Sequence, residues 1–283
     1  MKFTKMLTLG CFLAMLGSCA SVGGWKEGGG WKLVWSDEFD KDGAPDPSKW
    51  GYETGFVRNE ELQFYTKDRR ENARVEKGVL VIEARKETWP NPGYVPGASD
   101  WQRSRQTASY TSAALETHGH AEWTYGRFEV RAKLPAGRGM WPAAWMLGSN
   151  IGKAGWPLCG EIDIMENVGF DPDKAHFTVH TKAFNHAIGT AKGTSVPLPS
   201  PDRAFHDYAM EWSPKKIDFY LDGRWVFAFL NDGGDASHWP FDKPQYLILN
   251  SAVGGGWGGQ KGLDDSIFPA RYEIDYVRVW QKN

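Results

Sequence analysis

Glu161, Asp163 and Glu166 lie within the ten-residue stretch Gly160-Glu161-Ile162-Asp163-Ile164-Met165-Glu166-Asn167-Val168-Gly169. Large apolar side chains separate the acids and favour extended backbone. In a strand, successive side chains alternate faces, so Glu161 and Asp163 share one face while Ile162 and Ile164 take the other. Glu166 breaks the parity, because five steps from Glu161 lead to the wrong side. A β-bulge around Met165 would absorb one residue and return Glu166 to the face of the other two acids. The glutamates would then stand about four strand steps apart, roughly 13 Å between Cα atoms. Side chains leaning together would close this to the ~5–5.5 Å that suits a retaining glycosidase. Three acids on one strand face are a poor device for stability and a good one for splitting pKa values. The plainer reading is a solvated acidic edge. The apolar partners and the neighbouring tryptophans weigh against it.

The acid stretch follows Trp141-Pro142-Ala143-Ala144-Trp145-Met146-Leu147-Gly148, and further blocks surround it: Arg58 to Thr66, Tyr125 to Pro135, and Asp275 to Trp280. Taken together, in this order, they resemble glycoside hydrolase family 16 on its laminarinase-like branch. The six-residue E-x-D-x-x-E form is similar to laminarinases, agarases and carrageenases rather than to lichenases. The resemblance covers most of residues 31–282. It implies Glu161 as nucleophile, Glu166 as acid/base, and Asp163 as the carboxylate assisting between them. It also places Trp141 and Trp145 in a sugar-binding cleft, where flat indole faces suit pyranose rings. Asn59 and Glu60 resemble family residues that hydrogen-bond glucose hydroxyls, although an asparagine at that position also reads as a turn residue. The resemblance also implies a structural calcium, which family members often carry on the convex face. The matching positions are Glu38, the backbone of Gly78, and Asp275, with no cofactor needed for catalysis.

Other candidates rest on the residues themselves. Trp257, within Gly254-Gly255-Gly256-Trp257-Gly258-Gly259, sits in a loop too glycine-rich to bury it, so it reads as a lid or subsite platform. His176, Thr178 and His180 alternate on one strand, with His180 the better candidate for a neighbour of the acid/base. Arg127 either reaches the cleft or pairs with an acid across the sheet. No H-x-x-x-H or C-x-x-C spacing indicates a catalytic metal.

Elements able to hold such a site are legible in the alternation. Phe128, Val130, Ala132 and Leu134 fall on one face, and Arg127, Glu129, Arg131 and Lys133 on the other. Tyr208, Met210 and Trp212 alternate again. Ile217 to Leu221 and Arg224 to Phe229 flank Asp222-Gly223, a hairpin signal. No long amphipathic helix and no internal repeat is apparent. The fold class is all-β, an antiparallel β-sandwich; the resemblance sharpens this to a jelly roll with a concave carbohydrate-binding cleft. Three long loops, Glu87 to Gln106, Thr181 to Arg203 and Ser251 to Ala270, could wall that cleft. Trp35, Trp212 and Trp280 read as core.

At the start of the chain, Lys2 and Lys5 precede an apolar run, Met6 to Leu16, too short to span a bilayer stably. Leu16-Gly17-Ser18-Cys19 resembles a bacterial lipobox, so residues 1–18 read as a lipoprotein signal peptide, Cys19 as the lipidated residue, residues 19–30 as a glycine-rich tether, and residues 31–283 as the catalytic domain. Ala20 after the cysteine favours the outer membrane. Losing residues 1–18 removes Lys2 and Lys5 and shifts the formal net charge from −2 to −4. With no basic cluster, nucleic acid is not an expected partner. Cys159 would be left without a disulfide mate and reads as a small core residue. The expected protein is thus a monomeric, exported, endo-acting β-1,3-glucanase, with β-glucan as its partner and mixed-linkage glucan as a further substrate. The alternatives are a hydrolase of algal galactans, a non-catalytic surface glycan-binding lipoprotein, or a transglycosylase.

Overall fold

The computed structural model describes residues 29–282, so Cys19, the signal segment and most of the tether lie outside the described residues. Two stacked sheets account for the alternation. The sheet bearing the acids has seven strands, in the order Lys192–Pro197, Lys174–His180, Glu161–Glu166, Met140–Gly148, Gln245–Val253, Ala114–Glu116 and Gly51–Glu53. All its pairings are antiparallel.

The outer sheet has ten strands. Its main path runs Arg224–Leu230, Lys216–Leu221, His206–Trp212, Gly126–Lys133, Ala270–Lys282, Val79–Pro90, Thr107–Ser112 and Gln63–Tyr65. Trp31–Asp37 adds to Ala270–Lys282, and Ala73–Glu76 to Val79–Pro90. One pairing departs from the antiparallel expectation: Gln63–Tyr65 runs parallel to Thr107–Ser112.

The core lies between the sheets. Phe128, Val130, Ala132 and Leu134 meet Ile162, Ile164 and Met165 from the opposite sheet, with Tyr208, Met210 and Trp212 alongside. Asp222 and Gly223 both take positive φ, 50° and 74°, and close the expected hairpin as a mirror-image turn that matches strand twist. Trp212 and Trp280 are buried, and Cys159 is a buried free thiol.

The three long segments are more ordered than expected. Residues 87–90 continue the strand Val79–Pro90, and a helical turn, Trp101–Ser104, follows. Lys192–Pro197 is an edge strand paired to Lys174–His180. Trp257 sits in the helical turn Gly255–Gly258.

Candidate active site

The parity problem of the acids is solved by a bulge. Against the strand Met140–Gly148, Asp163 pairs with Trp145 but Met165 with Ala144, so Ile164 is the extra residue. Against the other neighbour, Glu161 pairs with His180, Asp163 with Thr178, and Glu166 with His176. Ile164 and Met165, adjacent in sequence, both enter the core. Glu161, Asp163 and Glu166 therefore share the outward face. Just before them, Gly160 has φ +78°, and a Cβ there would lie 2.7 Å from Pro240 Cγ. Only glycine can enter the strand this way.

All three acids line one cleft of about 870 Å³, together with Trp141, Trp145, Trp257, Asn59 and His180. Each acid has its own partner. The Trp156 indole N–H donates to Glu161 Oε2 at 2.9 Å, and the Trp141 indole N–H donates to Glu166 Oε1 at 2.9 Å. His180 Nε2 stands 3.4 Å from Asp163 Oδ2 and 3.6 Å from Glu161 Oε1. Thus His180 neighbours Glu161 and Asp163, whereas the histidine opposite Glu166 is His176. Trp257 stands edge-on to both Trp141 and His176, at 5.5 and 4.8 Å between ring centroids.

Enclosure by protein raises all three carboxyls to about 8. For Glu161 the negative charge of Asp163 adds to burial, while His180 and the Trp156 hydrogen bond oppose it. For Glu166 the pattern repeats, with Asp163 adding and the Trp141 hydrogen bond opposing. Asp163 is raised by burial and drawn back by a hydrogen bond with Glu161. Groups this close titrate as a set rather than singly. Such a set can keep one carboxyl protonated beside an ionised one near neutral pH, the condition for acid–base and nucleophilic work by the same strand.

The remaining sequence candidates divide. Trp145 presents a ring to the cleft wall, with its N–H donating to Asn250 Oδ1 at 2.8 Å and the Arg58 guanidinium over its face at 4.9 Å. Asn59 lines the cleft, but Glu60 is exposed and its carbonyl accepts from Arg105; the cleft carboxylate is Glu61. Two consecutive residues with positive φ, Asn59 at 55° and Glu60 at 53°, turn the chain so that Glu61 enters. There it accepts from Asn59, Gln63 and Tyr65. Arg127 is not in the cleft. It lies on the outer sheet, bridged to Glu129 at 2.9 Å and to Glu211 at 3.0 Å, so the cross-sheet pairing is the one that holds.

The calcium set does not fit as arranged. Arg278 grips both oxygens of Glu38, and Arg131 holds Asp275 at 3.1 Å, so a cation would have to displace two guanidinium groups. Glu87 to Gln106 contributes nothing to the cleft lining, whereas the segment between residues 149 and 160 contributes Ile151 and Trp156. Trp156, five residues before Glu161, was discoverable as an aromatic abutting the acid motif. Glu61 and Arg58 lie in the Arg58 to Thr66 block, but nothing in it singled them out ahead of Asn59 and Glu60.

Comparison with known proteins identifies the family and the fold. Residues 60–278 match the family model described as glycosyl hydrolases family 16. A β-glucanase of Rhodothermus marinus is 49% identical, over 99% of this chain and 97% of its own length. The structure of the laminarinase from Rhodothermus marinus superposes with TM-score 0.81 at 51% identity, covering 89% of this chain and 98% of that one. A non-specific endo-β-1,3(4)-glucanase gives TM-score 0.81 at 47% identity, covering 92% and 94%. The chain belongs to glycosyl hydrolases family 16.

Proposed function

We propose that the protein is a retaining, endo-acting glycoside hydrolase that cuts β-1,3 linkages in laminarin-type glucan and also accepts mixed-linkage β-1,3-1,4-glucan. The observation that carries this reading is the bulge-aligned trio of enclosed carboxylates, with Glu161 and Glu166 at its ends, each held by a different indole N–H. The names of the similar proteins support the substrate.

In this reading Glu161 attacks the anomeric carbon, and the bond to the leaving oxygen breaks as Glu166 protonates it. A covalent glycosyl-enzyme results. Glu166, now a carboxylate, takes a proton from water, whose oxygen displaces Glu161 and regenerates both groups. Asp163 shares a hydrogen bond with Glu161 and helps hold it. Trp141, Trp145 and Trp257 supply ring surfaces to the sugar, and Asn59 a polar contact.

A sulfated galactan would call for free cations. Among the described residues lining the cleft, the one arginine or lysine is Arg58, which lies over Trp145 and is ion-paired to Glu53. For the whole chain, the reading is a monomeric lipoprotein of the outer membrane: a signal peptide over residues 1–18, a lipid on Cys19, a tether over 19–30 and a catalytic domain over 31–283. It is supported by Lys2, Lys5 and the Leu16 to Cys19 pattern. Membrane fractionation of a Cys19→Ser variant tests the anchor.

The decisive experiment is NMR of the first products from laminarin, mixed-linkage glucan, agarose and carrageenan. Early β-configured oligosaccharides from laminarin are the expected result. First products of α configuration would overturn the retaining chemistry, and cleavage of a galactan alone would overturn the substrate. Glu161→Gln is expected to abolish turnover while Asp163→Asn leaves a measurable remainder. Equal, complete loss in both would remove the division of roles.

A further inference from the structure

Glu161, Asp163 and His180 form a three-ligand set whose donor atoms lie within 4.8 Å of one another. Zinc held by imidazole nitrogen and carboxylate oxygen at ~2.0–2.1 Å in a tetrahedron places its ligand atoms ~3.3–3.4 Å apart. The two distances from His180 Nε2, 3.4 Å to Asp163 Oδ2 and 3.6 Å to Glu161 Oε1, come close to those edges. Asp163 Oδ2 is an independent pointer. It is buried, on a residue 2% exposed, and among the described residues no N–H or hydroxyl donor reaches it in hydrogen-bonding geometry; beside it stand only His180 Nε2 at 3.4 Å and the neighbouring acid Glu161. An unsatisfied carboxyl oxygen at such a place is costly, and a cation that displaces the acid's proton would satisfy it. His180 Nδ1 is also buried without a partner, so no hydrogen bond on that side fixes which ring nitrogen carries the proton. The fourth position faces the cleft, as in sites that keep one coordination place open.

We propose that Glu161, Asp163 and His180 constitute an inhibitory site for Zn²⁺ and similar borderline divalent cations. The metal takes Nε2 of His180 and one oxygen from each acid. It thereby removes Glu161 from attack and competes with sugar for the same cleft. The inhibitory arm rests on the function proposed above; the binding arm does not.

The test uses tag-free full-length protein stripped with EDTA and titrated with ZnCl₂ by calorimetry, with Co²⁺ as a visible-absorption probe of coordination. One Zn²⁺ per chain is expected, together with a tetrahedral Co²⁺ spectrum. His180→Gln and Asp163→Asn are each expected to weaken binding by at least ~10-fold. Glu38→Gln, just past the end of the outer-sheet strand Trp31–Asp37, should leave binding unchanged. Circular dichroism of each variant checks the fold, and two variants guard against one failing to fold. Zinc bound as tightly by both folded site variants as by wild type, or no saturable binding at all, overturns the site. With laminarin as substrate, Zn²⁺ should raise KM rather than lower kcat, and EDTA should reverse it. A protein that binds zinc through His180 but cuts no β-glucan would keep the metal site and defeat the function. A protein that cuts laminarin and ignores zinc would do the reverse.

Discussion

Replacing Trp141 by phenylalanine deletes one hydrogen bond and keeps a ring in the cleft wall. The lost bond is the 2.9 Å donation from the indole N–H to Glu166 Oε1. It favours the ionised carboxylate, so it opposes the burial and the Asp163 charge that push Glu166 up. A hydrogen bond to a charged group contributes about 1.5–3 kcal/mol, and one pKa unit is about 1.36 kcal/mol. Trp141→Phe should therefore raise the carboxyl set by about 1–2 units. In the proposed mechanism Glu166 must start protonated, so activity fails as pH rises through its pKa. The alkaline limb of kcat/KM should accordingly move to higher pH, from near 8 towards 9–10. The assay is reducing-sugar release from laminarin across pH 5–10, with melting curves at each pH to separate denaturation. Because the ring is a cleft wall, KM changes too; the position of the limb, not its height, carries the result. An unmoved limb, or one moving to lower pH, would refute the assignment of Glu166 as the group Trp141 tunes.

The same buried acids should mark the stability of the fold. Their folded pKa values, about 8, exceed the ordinary values of 3.8 for Asp163 and 4.5 for Glu166. Between those limits the folded state holds protons that the unfolded chain releases, so stability falls as pH rises through this window. In Asp163→Asn and Glu166→Gln, the melting temperature relative to wild type should climb from pH 4 to pH 8; a flat difference would contradict the enclosure. Glu60→Ala should change kcat/KM less than about threefold, within the ±0.5 kcal/mol typical of surface substitutions. Glu61→Ala strands the donors on Asn59, Gln63 and Tyr65 and should cost about 1–3 kcal/mol of stability by denaturant titration. Ile164→Ala empties a fully buried site and should cost about 2–5 kcal/mol by the same titration. A milder loss would mean that the bulge relaxes around the gap.

Much of the site was legible because parity in a strand is strict. Three acids at spacings of two and three cannot share a face without an extra residue, so the bulge could be inferred before the register was seen. Its location moved by one position, to Ile164, because both Ile164 and Met165 are apolar and the core takes both. Glu60 was misassigned for a different reason. Two successive residues with positive φ precede Glu61; asparagine hints at a turn, but glutamate does not announce a second such residue. Arg127 alternated as expected, yet alternation does not say which sheet a strand joins. Lys192–Pro197 escaped notice because an edge strand facing solvent on most of its length lacks the apolar period that reveals inner strands. The wall formed by Trp156 depends on how residues 149–160 fold back, a tertiary matter with no local signature.

The order of strands has a consequence for how the chain comes into being. Gln245–Val253 lies between Met140–Gly148 and Ala114–Glu116, and Ala270–Lys282 lies between Gly126–Lys133 and Val79–Pro90. During synthesis from the N-terminus, each sheet therefore has an open seam until the segment beginning at residue 245 emerges. A nascent chain stalled earlier leaves five strands without a neighbour they would otherwise have, Trp31–Asp37 among them, and lacks Asn250 and Trp257. It has no half-formed cleft that works at half rate. Closure of both seams by distant segments makes folding slow and all-or-none, so recovery of activity after dilution from denaturant should report completion of the entire sandwich, not of the strand that carries the acids.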